Sequence, residues 1–379
     1  RGGGARYYEY TMPSSESIYY RSVMDAPRER DFYGGNIFLQ HKFESSNHQL
    51  DVLIDFARRQ GGSDETTEEW LTGSNFEVTG APYHMTSANE AQDSEDWMLK
   101  VDYVRPLGKG KMEAGWQSRL DDEVETYDFR EFDLAMGWID NPLFSSEMDF
   151  HRDIHSGYVT FSNEVKSFGY QLGLRAEYTD RVIKALEDEQ GYVVDRLDWF
   201  PTVHLSQQLG NDYQIQASYT RRINRPRGWN LEPFRNYIDK DNIREGNPGL
   251  LPEYVNSAEL SAMKKWGMTF LSLEAYYRNT ENLITRILTP LADGVVLHTF
   301  DNINQDHSLG LEAMLNYELN DRFNFNLSGS VFNYRLEGMV NGETVDRESN
   351  NWRSRLNMNA KFLKRTRLQL SLGYYGPSV

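Results

Sequence analysis

The sequence predicts an all-β chain, an antiparallel transmembrane β-barrel with about 14 strands, short turns at one rim and long loops at the other. Three observations carry this. Apolar and polar residues alternate with a period of two over runs of ~10 residues, near the span of a tilted transmembrane strand. The connections alternate between short and long. The composition is 39% hydrophobic, with aromatics at 13% including 23 Tyr, across 379 residues. That apolar content is thin for a soluble core but suits a sheet with one apolar and one wet face.

A period of two places alternate side chains on one face of a sheet. Along the chain this picks out Trp97, Leu99, Val101 and Tyr103 in 95–104, and Leu172, Leu174, Ala176 and Tyr178 in 171–178. It next marks Tyr213, Ile215, Ala217 and Tyr219 in 213–220, then Leu311, Ala313, Leu315 and Tyr317 in 311–317. Phe323 to Val331 and Leu368 to Tyr374 repeat the pattern. The opposite positions are Gln, Asn, Ser, Arg and Glu, including Gln214, Gln216, Asn324, Asn326 and Ser328.

Short turns are expected at 45–48, 106–111, 165–169, 208–212, 264–267, 319–322 and 364–366. Long polar stretches at 59–94, 122–153, 181–195, 223–253, 284–297 and 336–350 read as loops. Segment 181–190, the nearest approach to an amphipathic helix, is also read as loop. Tyr and Trp near strand ends, among them Trp97, Trp116, Trp199, Tyr276, Tyr277 and Trp352, read as an aromatic girdle at the membrane interface. No run approaches the ~18 apolar residues of a membrane-spanning helix, which a barrel does not need.

Several function classes are excluded or unsupported. A formal net charge of −17 opposes nucleic acid as a partner, because phosphate neutralisation requires clustered cations. With no Cys, there are no disulfides, thiolates or Cys-based zinc sites. His151 and His155 lie four apart, but the segment reads as strand and no carboxylate completes a metal motif. The acidic loops match no defined calcium loop. No nucleophile elbow, phosphate loop or dinucleotide fingerprint is present, so no catalytic residue, metal or cofactor is assigned. Residues 1–379 are taken as one barrel region whose ends look like cuts through a longer protein.

The most informative stretch is 221–253, RRINRPRGWNLEPFRNYIDKDNIREGNPGLLPE, which follows a cleanly alternating strand. Pro226 and Pro233 stop ladder pairing, while Gly246, Pro248 and Pro252 shape a turn before a strand descends at 254–265. Arg222 to Pro226, Trp229, Pro233-Phe234 and Gly246 to Glu253 resemble TonB-dependent outer-membrane receptors. These show an Arg-x-Pro element followed by Asn-Pro-x-Leu-x-Pro-Glu. Tyr277 to Ile284, Asp301-Asn302 and Gly310-Leu311-Glu312 resemble the elements that follow. The wording is closest to the outer membrane protein beta-barrel family, common in Bacteroidetes.

The resemblance is specific over 215–379 and compatible over 1–214. It implies a barrel of ~22 strands closed by an N-terminal plug. This chain shows no plug and is short of several strands at both ends. The implied partners are outer-membrane lipid, the protein's own plug, a TonB-type inner-membrane energising complex and a scarce nutrient such as a siderophore, vitamin or glycan. Candidate ligand- or plug-contacting residues are Arg221, Arg222, Arg225, Trp229, Asn247 and Glu253, as positioning groups rather than catalysts. Two alternatives share part of the pattern: a passive porin-like or surface-binding barrel, and a soluble β-rich enzyme acting on carbohydrate.

Overall fold

The computed structural model describes residues 2–10, 17–185, 188–239, 241–291, 294–320, 322–340, 342–362 and 365–377. Its strands in the first half are β1 (Gly2–Tyr10), β2 (Ile18–Ala26), β3 (Arg28–Lys42), β4 (Gln49–Thr72), β5 (His84–Leu107), β6 (Gly110–Asp133), β7 (Gly137–Asp140), β8 (Ser146–Val165) and β9 (Phe168–Ala185). They continue as β10 (Asp188–Leu209), β11 (Tyr213–Asn224), β12 (Arg235–Asp239), β13 (Asn242–Glu245), β14 (Glu253–Trp266), β15 (Thr269–Pro290), β16 (Val296–Asn320), β17 (Phe323–Val340), β18 (Glu343–Phe362) and β19 (Thr366–Tyr375). A single 3-10 turn at Gly228–Asn230 is the one helical element among the described residues.

All strands belong to one sheet. Long neighbours pair antiparallel in chain order, as consecutive hairpins do. Among the residues with positive φ, Asn47, Lys166, Gly210 and Gly267 sit in short turns. A two-residue hairpin turn needs that conformation to match the strand twist.

The alternation predicted from the sequence assembles into a continuous apolar band. Val52, Val101, Trp116, Gly157, Ala176 and Trp199 stand opposite one another from β4 to β10. Ala217, Leu260, Ala275, Leu311, Val331 and Trp352 do the same from β11 to β18. Their large members, Trp116, Trp199, Leu260, Leu311, Val331 and Trp352, are exposed. An exposed apolar surface this extended is stable against lipid rather than water. Tyr276 departs from the expected girdle: it shares the face of Glu274 and lies over Gly310, leaving Tyr277 on the apolar face. Adjacent residues in a strand cannot share a face.

The long polar stretches are mostly strand. β4 runs to Thr72 and β5 resumes at His84, so only 73–83 is loop within 59–94. β9 continues to Ala185 and β10 starts at Asp188, which corrects the loop reading of 181–190. β15 to β18 similarly extend through most of 284–297 and 336–350. Above the apolar band both faces meet water or polar protein, so alternation stops carrying information while the hydrogen-bonded ladder goes on. Segment 223–253 differs: beyond Asn224 the chain leaves the ladder and returns at Glu253.

Open edges remain among the described residues, and β1 pairs only with β2. β3 is exposed at every position and pairs only with β4; β19 is exposed throughout and pairs only with β18.

Candidate functional site

The excursion between β11 and β14 packs against the face opposite the apolar band. On β6, Trp116 and Leu120 face outward, so Glu125, Tyr127 and Phe129 face inward. On β9, Leu172 and Leu174 face outward, so Glu177, Thr179, Arg181 and Ile183 face inward. Leu231, Phe234 and Leu250 of the excursion form a buried cluster with Tyr127, Phe129, Met148, Phe150, Ile183 and Phe300. Phe234 stacks with Tyr127 at 6.2 Å between centroids, and Tyr237 tilts over Phe129 at 5.1 Å. Each large side chain buried in this way contributes ~1.5–3 kcal/mol, enough to hold the excursion without lipid.

Local chemistry shapes the excursion. Pro226 and Pro233 have no N–H for a ladder. Leu231 N–H donates to the Gly228 carbonyl at 2.7 Å, closing the 3-10 turn. β12 and β13 form a small hairpin, and β13 lies parallel to the start of β16. Gly246 passes so close to Glu232 that a Cβ would lie 2.7 Å from its backbone N and O. Asn247 N–H donates to the Asn230 carbonyl at 2.7 Å, and its side-chain amide donates to the Phe300 carbonyl at 3.1 Å.

The excursion also reveals the curvature of the sheet. Ten strand pairings separate β2 from β16. In a flat sheet at ~4.8 Å per strand they would lie ~48 Å apart. Yet Tyr20 of β2 donates its hydroxyl to Asp241 at 3.2 Å, and Val296 of β16 donates its N–H to the Asp241 carbonyl at 2.7 Å. Both strands reach one residue, so the rim curls around the excursion.

The six residues expected to contact ligand or plug separate into two groups. Glu253 is buried; it accepts from the Asn224 amide at 2.6 Å and from Ile284 N–H at 2.8 Å, tying β11, β14 and β15 together. Arg225 pairs with buried Glu177, and Arg221 lies 4.7 Å from the centroid of Tyr254 and pairs with Glu281 at 3.2 Å. Asn247 is engaged as described above. Arg222 and Trp229 are exposed; Trp229 meets Phe300 edge-on at 4.9 Å. The structure thus brings Arg225, Asn247 and Glu253 into one framework and leaves Arg222 and Trp229 exposed at its surface, with Arg244 over the Trp229 ring at 5.8 Å.

Alternation in the sequence does not mark the acidic residues buried around this framework. Glu232 is buried, paired with Arg244 at 2.6 Å and bonded to the Asn236 amide at 2.9 Å. Burial raises its carboxyl above the usual range, and Arg244 opposes that. Glu125 lies nearby and forms no ion pair among the described residues; burial, then the like charges of Glu232, Glu90 and Glu123, push it up to about 8, with Arg244 opposing. Strong acidity in 120–128 signalled a solvated loop, whereas one face of that segment is interior.

A family model described as "Outer membrane protein beta-barrel family" matches residues 41–379. No curated protein matches. Among solved structures, the chain is similar to the siderophore receptor PiuA from Acinetobacter baumannii, with TM-score 0.58 and 14% identity over 95% of this chain and 61% of that one. It is similar to the siderophore receptor PirA from Pseudomonas aeruginosa, with TM-score 0.52 and 16% identity over 99% and 67%. It is also similar to the ferric yersiniabactin uptake receptor FyuA from Yersinia pestis, with TM-score 0.50 and 11% identity over 98% and 62%. The chain therefore spans between 61% and 67% of the length of these structures.

Proposed function

Since the chain belongs to the outer membrane protein beta-barrel family and is an outer-membrane barrel rather than an enzyme, we propose that it forms most of the wall of a TonB-dependent receptor importing a scarce nutrient. The observation that carries this reading is the excursion 225–253, packed across the inner face of the curled sheet. A passive channel gains nothing from a built, apolar-cored element in its path. A gated receptor needs fixed inner surfaces against which a plug and a ligand can be positioned. Arg222 and Trp229 are the exposed groups on or beside this element; Arg225, Asn247 and Glu253 hold it in place, while Arg221 ties β11 to β14 and β15.

In this reading the open edges of β3 and β19 are covered by further strands of the full protein, because unpaired backbone in lipid costs several kcal/mol per group. With them the barrel approaches the ~22 strands of plugged transporters. A plug fills the lumen, and force from a TonB-type inner-membrane complex opens a path. The similar structures named above are receptors for siderophores or ferric yersiniabactin, so an anionic or neutral iron chelate is the first substrate class to test.

The test is uptake by cells with and without the gene for the full-length protein. Radiolabelled ferric chelates, haem, cobalamin and copper are supplied, with and without a protonophore. Gene-dependent accumulation that the protonophore abolishes is expected for one of these. Gene-dependent entry that persists under the protonophore contradicts energised transport and favours a passive pore.

A further inference from the structure

The inner face carries an arginine cluster with more positive charge than its partners neutralise. Arg152 and Arg181 are direct cross-strand partners on β8 and β9. Like charges placed directly opposite destabilise a sheet. Arg152 is paired with Asp121 at 2.6 Å. Arg175 and Arg225 share Glu177, and Arg196 pairs with Asp198 at 3.0 Å. Among the described residues, Arg181 has no carboxylate partner. Its Nη2 donates to the carbonyls of Pro248 and Leu250 at 2.9 and 3.2 Å, and its Nε is buried with no partner. The residue is only 5% exposed.

Burial and the charge of Arg152 lower Arg181 to about 10, so it stays charged at neutral pH. A buried cation normally has a counter-charge, because isolated burial is costly. Asp153, Asp180 and Asp195 stand in register on the reverse face of the sheet, where solvent screens them. They do not enter the cavity that Arg152, Arg181, Arg196 and Arg225 line together with Thr179. One carboxylate, Asp198, also lines it, and it is engaged by Arg196 and by the Tyr254 hydroxyl, so four guanidiniums face one acid there. That cavity measures about 20 Å³, space for one water-sized guest.

We propose that this cavity is a binding site for a small monoanion of chloride size. The anion sits between the opposed guanidiniums of Arg152 and Arg181, accepts from Arg181 Nε and offsets the surplus charge. Because Arg181 also grips the Pro248 and Leu250 carbonyls, the anion completes the joint between the excursion and strands β8 to β10. Oxyanions as large as sulfate or gluconate do not fit. The inference does not depend on what the barrel transports.

The experiment uses the full-length protein in detergent at constant ionic strength, with sodium gluconate replaced stepwise by sodium chloride or bromide. Chloride and bromide are expected to raise the unfolding midpoint by roughly 3–5 °C and to saturate, as site binding does. A general salt effect instead grows without saturating. Arg181→Met is expected to lose the saturable increment, and Arg196→Gln, at the rim of the cavity, to need about tenfold more chloride. Identical midpoints in gluconate and chloride, or an unchanged increment in Arg181→Met, overturn the proposal. Should Arg181→Met fail to fold, wild-type crystals grown in bromide decide: an anomalous peak within hydrogen-bond reach of Arg181 Nε supports the site, and its absence there overturns it.

Discussion

The lower and upper halves of the strands obey different physics. Near the short turns, residues such as Leu172, Leu174, Ile215 and Leu260 face outward and exposed, and the opposite positions are polar. That half has no core of its own; its apolar surface is satisfied by lipid. Above Asp121 on β6 and Thr179 on β9, the outward apolar rows fade and a core appears on the inner face, built from Phe129, Phe150, Ile183 and the excursion. One ladder thus runs through two environments, and apolar side chains change sides as it rises. A sequence window that assumes one environment reads the upper half as loop.

The sharpest way to break the upper half is Phe150→Ala. Phe150 lies in the buried cluster, and such truncations cost ~3–5 kcal/mol. The expected result is protease cleavage within 225–253 while heat-resistant migration of the barrel in gels persists. Equal loss of both would mean that the halves are not separable.

A charge maps the boundary. Leu174→Arg, on the apolar band, is expected to cost ~2–4 kcal/mol in lipid. Val193→Arg, exposed above the band, is expected to cost roughly 0–0.5 kcal/mol. Refolding titrations into vesicles measure both, and similar costs would erase the boundary.

Gly246→Ala tests the fit of the excursion. With a Cβ 2.7 Å from the Glu232 backbone, the cost is expected near ~1–3 kcal/mol, read as a lower midpoint for loss of near-ultraviolet aromatic signal. An unchanged midpoint would mean that this approach is not tight.

The smallest effect is pH-dependent. Glu125 has a folded value of about 8, above its ordinary value near 4.5. The folded state therefore holds the proton more tightly, and this contribution is fully present below pH ~4.5 and lost as pH rises through ~8. Glu125→Gln is expected to flatten that decline and to be more stable than wild type at pH 8–9 by ~1–2 kcal/mol. Parallel stability curves from pH 5 to 9 for the two proteins would contradict it.

Much of the lower half was legible in the sequence. Leu172-Gly-Leu174-Arg-Ala176 and Phe323-Asn-Phe325-Asn-Leu327 announce both strand and facing, because lipid on one side and water on the other impose strict alternation. Short turns were legible from Gly210 and Gly267. Above the band, Glu125 and Arg181 looked like solvated loop charge, since burial against a distant excursion leaves no local trace. In 221–253 the motif was legible as a stop and turn through its prolines and Gly246. Its inward fold was not, because the apolar positions Leu231, Phe234 and Leu250 follow neither period. Arg225 and Glu253 were visible as polar landmarks, but the partner of Arg225, Glu177, lies 48 residues earlier in the chain.

The most direct test is a cysteine scan of β9 from Phe168 to Ala185 in outer membranes of cells making the full-length protein. The chain has no cysteine to remove. Each variant is labelled with a fluorophore whose emission a lipid-soluble quencher or an aqueous quencher reports. Leu172, Leu174 and Ala176 should be quenched from lipid, and Gly173 from water. At the top the pattern should reverse in kind: Lys184 open to water, and Ile183, fully buried under the excursion, reached by neither quencher. Uniform quenching along β9, or Ile183 as open as Lys184, would contradict a single ladder that crosses lipid below and buries its inner face above.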